Sequence, residues 1–272
     1  MRREPFRTAM ASRTLILDAA MGTRLIAEGL YLQGDDPALW NLSKPEKVLA
    51  IHSRDRAAGA DALTTNTFGA NRAWLDRFGK ADRMEEINRQ AVAFARRVAG
   101  PEGYVIGDLG PTGIVTCGAI REQARILIDS GVDALLFETF QFDQAVPALQ
   151  ELADDIRIPR LVSLFVWPEK LSDATRELAD LGAEVLGLNC RPGMGSAIEF
   201  AEKMRGVTPL PLLMKPSSSP TEAADREVES FALAVPRLEA LGVKLIGGCC
   251  GTTELHVAAL RNACYARASS PR

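Results

Sequence analysis

Short apolar runs alternate with amphipathic segments along almost the whole chain. Eight β-rich apolar runs predict strands, at residues 14–21, 61–68, 103–111, 133–140, 160–167, 184–190, 210–216 and 243–250. Between these runs, apolar residues recur with the period of a helix, most clearly at 46–58, 84–98, 144–156 and 228–241. Strands that alternate with helical crossovers are typical of a parallel sheet, and eight such units predict a (β/α)8 barrel.

The rival fold is a doubly wound open sheet, which carries a glycine-rich phosphate loop after its first strand. The segment that follows the first predicted strand, within 17–23 (LDAAMGT), has one glycine and lacks that fingerprint. The length of 272 residues also lies within the ~200 to 400 residues of a single barrel. We therefore expect an α/β protein with a single-domain TIM barrel at 14–265, a disordered lead at 1–13 and a short tail at 266–272.

The composition narrows the class of function. A formal net charge of −3 lacks the excess of basic residues that is typical of a nucleic-acid binder. No apolar run reaches the ~18 residues of a membrane span, and the first residues have no apolar centre like that of a secretory signal. We therefore expect a cytoplasmic enzyme with small-molecule substrates that binds neither nucleic acid nor membrane.

Polar side chains stand where the predicted strands end, which is the active face of a (β/α)8 barrel. Asp18 ends the first strand and Glu138 ends the fourth, at opposite sides of the predicted barrel mouth. A carboxylate beside apolar strands needs a counter-charge, and the ammonium group of a substrate would provide one. Two alternatives stay open, a turn-capping role for Asp18 and an ion pair between Glu138 and an arginine of the active face.

Three of the five cysteines also lie at strand ends: Cys190 ends the sixth predicted strand, and Cys249 with Cys250 ends the eighth. An odd count and an adjacent pair argue against a disulfide framework. Thiolates favour zinc, and catalytic zinc commonly takes three protein ligands. Adjacent strand residues face opposite sides, so the pair shares one ion only if the backbone bends, which the flanking glycines permit. The pattern predicts a zinc site, and the alternative is a set of ordinary buried cysteines.

Six segments, in this order along the chain, resemble the zinc-dependent homocysteine S-methyltransferase family, including the homocysteine-binding module of cobalamin-dependent methionine synthase. They are 17–23 (LDAAMGT), 65–68 (TNTF), 107–113 (GDLGPTG), 137–139 (FET), 187–190 (GLNC) and 247–253 (GGCCGTT). The resemblance extends from residue 15 to residue 260. It implies a (β/α)8 barrel that holds zinc on Cys190, Cys249 and Cys250.

The same resemblance implies how the substrate lies. The amino group of homocysteine would be held by the acids at Asp18 and Glu138. Backbone amides near Ala19 and Ala20, and the side chain of Thr67, would lie close to the amino-acid end of the substrate.

The predicted reaction is methyl transfer to the thiol of L-homocysteine to give methionine, with the thiolate activated on Zn²⁺. The donor stays open among S-methylmethionine, S-adenosylmethionine and a methyl group on a separate corrinoid protein. The segment 215–220 (KPSSSP) departs from the family's pattern after the seventh strand, so the resemblance assigns it no role. Two other interpretations stay open, methyl transfer to a different thiol and a non-catalytic zinc-binding barrel.

Overall fold

The computed structural model describes residues 3–112, 118–152, 157–218 and 224–265. Within these residues, eight strands occur, and each overlaps one of the eight runs predicted from the sequence. The strands are β1 (Leu15–Ile16), β2 (Ala62–Thr64), β3 (Tyr104–Leu109), β4 (Ala134–Phe140), β5 (Arg160–Leu164), β6 (Val185–Pro192), β7 (Leu212–Ser217) and β8 (Val243–Ile246).

All eight strands belong to one parallel sheet. Hydrogen-bonded neighbours follow the order β1-β8-β7-β6-β5-β4-β3-β2. A parallel bridge between Leu17 and Ala62 joins the two ends of that order. The sheet therefore closes on itself, which confirms the predicted (β/α)8 barrel.

Helices connect the strands and cover the outside of the barrel. In the described ranges they are α1 (Phe6–Ser12), α2 (Gly22–Ala27), α3 (Trp40–Ser43), α4 (Pro45–Ala58), α5 (Arg72–Asp76), α6 (Met84–Ala99), α7 (Ala119–Asp129), α8 (Phe142–Gln150), α9 (Leu171–Asp180), α10 (Gly193–Arg205), α11 (Ala224–Ala240) and α12 (Glu254–Tyr265). The helix predicted at 144–156 ends earlier, at Gln150, and residues 153–156 lie outside the described part. None of the helices described here is both long and apolar enough to cross a membrane.

The two-residue period of the strands sorts their side chains between the inside and the outside of the barrel. In β3, Ile106 belongs to the buried cluster inside the barrel, whereas Val105 packs in the larger cluster between sheet and helices. Asp108 comes two residues after Ile106 and is also buried. The alternation that builds the core therefore also places this acid on the inner side, near the carboxyl end of its strand.

The same two-residue alternation places charged side chains of β4 and β7 on the inner side of the barrel. Glu138 comes two residues after Leu136, and Lys215 comes two residues after Leu213, and both leucines belong to the inner cluster. The apolar lower layers of the barrel thus lie directly beneath a layer of charged side chains. This layer forms one wall of the candidate site.

The segment before β1 contains a helix rather than the disordered lead predicted for 1–13. Helix α1 buries Phe6, Ala9 and Met10, which join the cluster inside the barrel. The ring of Phe6 packs edge-on against Tyr104, with 5.3 Å between ring centroids. The prediction of disorder is wrong for the described part of this segment. The apolar residues between its arginines form one face of a helix, and this face packs against the lower end of the barrel. The predicted tail at 266–272 lies outside the described residues.

Candidate active site

A cavity of about 270 Å³ opens at the carboxyl ends of the strands. The residues that the sequence predicted for the site all line it: Asp18, Ala19, Ala20, Thr67, Glu138, Cys190, Cys249 and Cys250. Its wall carries two chemical groups, a cluster of three cysteines and a cluster of acids around one lysine. The structure thus brings the predicted residues together in one place.

Cys190 reaches this cavity through an unusual backbone conformation. Its φ of 59° is positive, as is the φ of 63° at Thr139, and no other non-glycine residue in the described ranges has a positive φ. Such a conformation costs roughly 1 to 3 kcal/mol, so it needs support from its surroundings. For Thr139 this support comes from Asn189, the residue before Cys190: Asn189 Nδ2 donates to Thr139 Oγ1 (2.6 Å) and Asn189 Oδ1 accepts from the Thr139 amide (3.2 Å). The strand register shifts after Asn189, which frees Cys190 from the strict alternation of β6.

The adjacent cysteines lie in the loop that follows β8, not in the strand as predicted. The strand ends at Ile246, so Cys249 and Cys250 are free of the alternation that would send their side chains to opposite faces. The loop is tight, since a Cβ added at Gly248 would lie 2.2 Å from the Thr252 hydroxyl. The backbone therefore leaves strand geometry at the glycines, as predicted. The strand itself ends earlier than predicted, at Ile246 rather than at residue 250.

The three thiols form a compact trio. Cys190 Sγ lies 2.7 Å from Cys249 Sγ and 3.8 Å from Cys250 Sγ, and the last two are 4.0 Å apart. Within the described residues, this trio is the group of His, Cys, Asp and Glu side chains that is arranged to hold a metal ion. Hydrogen bonding by Cys190 lowers the pKa of the Cys250 thiol to about 3. The contacts within the trio thus favour the thiolate form at Cys250, the form that binds metals.

Asp18 is held by the second strand. Its Oδ1 accepts a hydrogen bond from Thr64 Oγ1 (2.5 Å) and its Oδ2 accepts one from the Thr64 amide (2.7 Å). Burial raises the pKa of Asp18 to about 6, although Lys215 and the hydrogen bonds from Thr64 oppose this shift. Asp18 is thus a carboxylate at neutral pH that protonates under mildly acidic conditions.

Glu138 has a resident partner that the sequence did not reveal. Lys215 Nζ donates to Glu138 Oε1 at 2.6 Å, and the two side chains are 5% and 13% exposed. Burial alone would lower the pKa of Lys215, but Glu138, Asp18 and Asp108 together raise it above its usual value. The open alternative of an ion pair is therefore right in kind, with a lysine of β7 in place of an arginine. Lys215 lies in the predicted seventh strand, 210–216, but the sequence indicated no role for it.

Asp108 completes the acidic cluster. Its side chain is buried and lines the cavity. Burial, followed by repulsion from Glu138, raises the pKa of Asp108 well above its usual value. Asp18, Asp108 and Glu138 thus gather around one lysine.

The backbone amides predicted to face the amino-acid end are already engaged within the protein. The Ala19 amide donates to Asp55 Oδ2 (3.3 Å), and the Ala20 amide donates to Thr252 Oγ1 (3.2 Å). The hydroxyl of Thr67 donates to a backbone carbonyl of β3 at 2.7 Å. These residues shape the cavity wall, and their polar groups hold its loops together.

Comparison with known proteins places this geometry in a family. The sequence profile described as homocysteine S-methyltransferase matches residues 15–264. The methionine synthase of Mycobacterium tuberculosis is 30% identical over 290 aligned residues, which cover 91% of this chain and 24% of the synthase. The methionine synthase of Mycobacterium leprae is 29% identical with the same coverage. The chain thus spans about a quarter of the length of these curated relatives.

Among solved structures, the chain resembles the homocysteine methyltransferase MmuM from Escherichia coli. The oxidised form of MmuM superposes with a TM-score of 0.80 at 26% identity, covering 95% of this chain and 99% of MmuM. The metallated form superposes with a TM-score of 0.77 at 25% identity and the same coverage. The likeness therefore extends over the whole barrel.

Proposed function

The chain belongs to the homocysteine S-methyltransferase family, as its motifs predicted, and we propose that it transfers a methyl group to the thiol of L-homocysteine, giving methionine. One observation carries this proposal. The three cysteine sulfurs and a cluster of largely buried acids lie on the wall of the same cavity. An amino-acid thiol needs both features, a soft metal site for its sulfur and negative charge for its ammonium group.

The metal in this proposal is one Zn²⁺ ion on Cys190, Cys249 and Cys250. Tetrahedral zinc with bonds of about 2.3 Å places its sulfur ligands about 3.8 Å apart. Two of the three separations in the trio, at 3.8 and 4.0 Å, fit that value. Three protein thiolates would leave the fourth position of the zinc ion open. A substrate sulfur bound at that position would stay a thiolate at neutral pH.

The protein's own residues would position the other end of the substrate. Asp18 and Glu138 place negative charge on the cavity wall for the ammonium group. Thr64 orients the carboxylate of Asp18, and Lys215 orients that of Glu138. Because these contacts fix both carboxylates before a substrate arrives, little reorganisation is needed on binding.

The supporting role of Asn189 gives a first prediction. Asn189→Ala removes the two hydrogen bonds that hold Thr139 in its left-handed conformation, beside Cys190. Asn189 directly precedes Cys190, so loosening Asn189 also loosens the backbone of this metal ligand. We therefore expect zinc affinity to fall by roughly 10- to 100-fold, the usual effect of losing a group that supports a metal ligand. Competition with a chromophoric chelator measures this affinity.

Ser163→Ala is the matched control for that measurement. It removes a single hydrogen bond, from Ser163 Oγ to Asn189 Oδ1 (2.8 Å), and leaves both contacts to Thr139 in place. Its zinc affinity should stay close to that of the wild type. Equal zinc affinity in the wild type and Asn189→Ala would show that Asn189 does not support the site.

The methyl donor is one of three alternatives: S-methylmethionine, S-adenosylmethionine or a methyl group on a separate corrinoid protein. The chain matches only part of the methionine synthases, so the activity of a whole synthase is not carried over to it. One observation favours a second candidate, methyl transfer to a thiol that lacks an amino group. Lys215 already supplies a cation to Glu138, which is the place that the sequence assigned to the substrate ammonium.

The direct test is a methyl-transfer assay. The zinc-loaded protein is incubated with L-homocysteine and, separately, with each of the three donors carrying a deuterated methyl group. Mass spectrometry should detect deuterated methionine with at least one donor, and removal of zinc with a chelator should abolish it. Absence of labelled methionine above the protein-free control with every donor would contradict the proposal.

A further inference from the structure

The residues that follow Lys215 in the segment 215–220 (KPSSSP) have no role in the reaction proposed above. The structure describes three of them, 216–218, which form the end of β7 and the first residue after it. In the sheet, β7 lies between β6 and β8. This end of β7 therefore separates the two sources of the trio, Cys190 on β6 and the adjacent cysteines after β8.

Main-chain hydrogen bonds continue the pairing of β7 with the chain that follows β8. The Cys249 amide donates to the Pro216 carbonyl (2.8 Å). In an unbroken parallel ladder, the Ser218 amide would then donate to the Cys249 carbonyl. It donates instead to the Cys250 carbonyl (2.8 Å), and the Cys249 carbonyl accepts from the amide and the hydroxyl of Thr252 (3.1 and 2.7 Å). The cysteine loop thus has one residue more than the facing stretch of β7, as in a β-bulge.

This bulge explains how two neighbouring cysteines reach the same place. Adjacent residues of a regular strand face opposite sides, whereas an extra residue breaks the alternation and re-aims a side chain. Cys249 Sγ and Cys250 Sγ accordingly lie 4.0 Å apart on the wall of one cavity. Gly251 lets the loop close against β7, because its φ is 79° and an added Cβ would lie 2.8 Å from Ser218 Cβ.

The other edge of the same stretch faces a second bulge, in β6. Asn189 pairs with Lys215. Three residues further along β6, Pro192 pairs with Ser217, which is only two residues further along β7. The extra residue of β6 falls between these pairs, where Cys190 has a φ of 59°. Both sources of the trio therefore lie in bulges that face the end of β7.

We propose that the end of β7 positions the trio for its metal ion, through the Pro216 carbonyl and the Ser218 amide. The inference rests on the proposed function, because it requires a metal ion on the three cysteines. A single strand end that registers both bulges fixes how far Cys190 lies from the adjacent cysteines. Ligands held at this spacing before the metal arrives need little ordering on binding. Ser218 is thus a positioning residue that acts through its main chain.

Ser218→Pro tests this role in the full chain, because proline has no amide hydrogen to donate to the Cys250 carbonyl. We expect its zinc affinity, measured against a competing chelator, to fall by roughly 10- to 100-fold, as when other groups that support metal ligands are lost. Ser218→Ala is the matched control, since it removes the hydroxyl and keeps the amide. Its zinc affinity should equal that of the wild type.

Cobalt binding separates positioning from a general loss of stability. Co²⁺ replaces Zn²⁺ in thiolate sites, and the intensity of its d–d absorption reports how nearly tetrahedral the ligands are. At saturating Co²⁺, Ser218→Pro should show weaker d–d bands than the wild type, and Ser218→Ala should show the wild-type spectrum. Because the proline ring also constrains the backbone, an ester in place of the amide of residue 218 repeats both measurements without the ring. It should lower zinc affinity in the same direction.

Wild-type zinc affinity together with a wild-type cobalt spectrum in Ser218→Pro would overturn the inference, and the ester variant decides if the proline variant does not fold. Equal losses in Ser218→Pro and Ser218→Ala would also overturn it, because the hydroxyl rather than the amide would then be responsible. A wild-type protein that binds no zinc would instead contradict the metal site of the proposed function, and the inference with it.

Discussion

Cys249→Ala is expected to leave the purified protein with almost no zinc and with no measurable methyl transfer. Cys249 lies in contact distance of both other thiols of the trio, so its loss leaves two protein ligands where a catalytic zinc site needs three. Metal ions contribute several kcal/mol to such reactions, and each ~1.4 kcal/mol is a factor of ten in rate. We therefore expect activity to fall by roughly a thousandfold or more. Elemental analysis and the deuterated-methyl assay measure the two effects in the same preparation.

Cys264→Ala is the matched control. Cys264 is a partly buried free cysteine of α12 that packs against the hydrophobic core and does not belong to the trio. This variant removes one thiol from the protein and should keep about one zinc per chain with full activity. Full zinc retention in all three of Cys190→Ala, Cys249→Ala and Cys250→Ala would contradict the assignment of the metal site.

The barrel was predictable from sequence because its signal is repeated along the chain. Each of the eight apolar runs became a strand, and inside-to-outside alternation explains which of their residues form the core. Helix α1 escaped prediction because its apolar face has only three buried residues, Phe6, Ala9 and Met10, between basic ones. Its stability comes from packing under the barrel, which local sequence does not encode.

The cysteines and two acids of the site were predictable because they follow apolar strands directly. The role of Lys215 was not predicted, because this residue lies where the predicted strand 210–216 overlaps the loop-like segment 215–220 (KPSSSP), to which no role was assigned. In the structure β7 continues to Ser217, and counting by twos from the buried Leu213 places Lys215 on the inner side. The two-residue period of the strand therefore contained the information that Lys215 faces the inside of the barrel, although the serines and prolines that follow it resemble a loop.

The charge of Asp18 has opposite effects on substrate binding and on the stability of the fold. Burial raises its pKa from 3.8 to about 6, so the folded protein binds this proton more tightly than the unfolded chain does. The ionised carboxylate therefore destabilises the fold above pH 6, by roughly 3 kcal/mol at most, and this cost disappears as the pH falls towards 4. Asp18→Asn should thus raise the free energy of unfolding at pH 7, as measured by urea denaturation, and leave it nearly unchanged at pH 4.

The same substitution should weaken the binding of homocysteine, in a way that depends on pH. At pH 7.5 the carboxylate of Asp18 is ionised and attracts the ammonium group, so the wild type should bind homocysteine about 10- to 100-fold more tightly than Asp18→Asn. Below pH 6 the free wild type holds a proton on Asp18, and binding must first displace it. The wild-type advantage should therefore shrink by close to tenfold per pH unit and approach one near pH 4.5 to 5.

The dissociation constant of homocysteine for Asp18→Asn, divided by that for the wild type, isolates this effect. The pH dependence of the metal site and of the substrate thiol is common to both proteins and cancels in this ratio. Calorimetric titrations between pH 5 and 8, with zinc content measured in each sample, should show the ratio at half its maximum near pH 6. Thr64→Val provides a second check. It removes the hydroxyl that donates to Asp18, and since that hydrogen bond lowers the pKa of Asp18, the midpoint should move above pH 6. A ratio that stays the same from pH 5 to pH 8 would mean that Asp18 does not contact the ammonium group as a carboxylate.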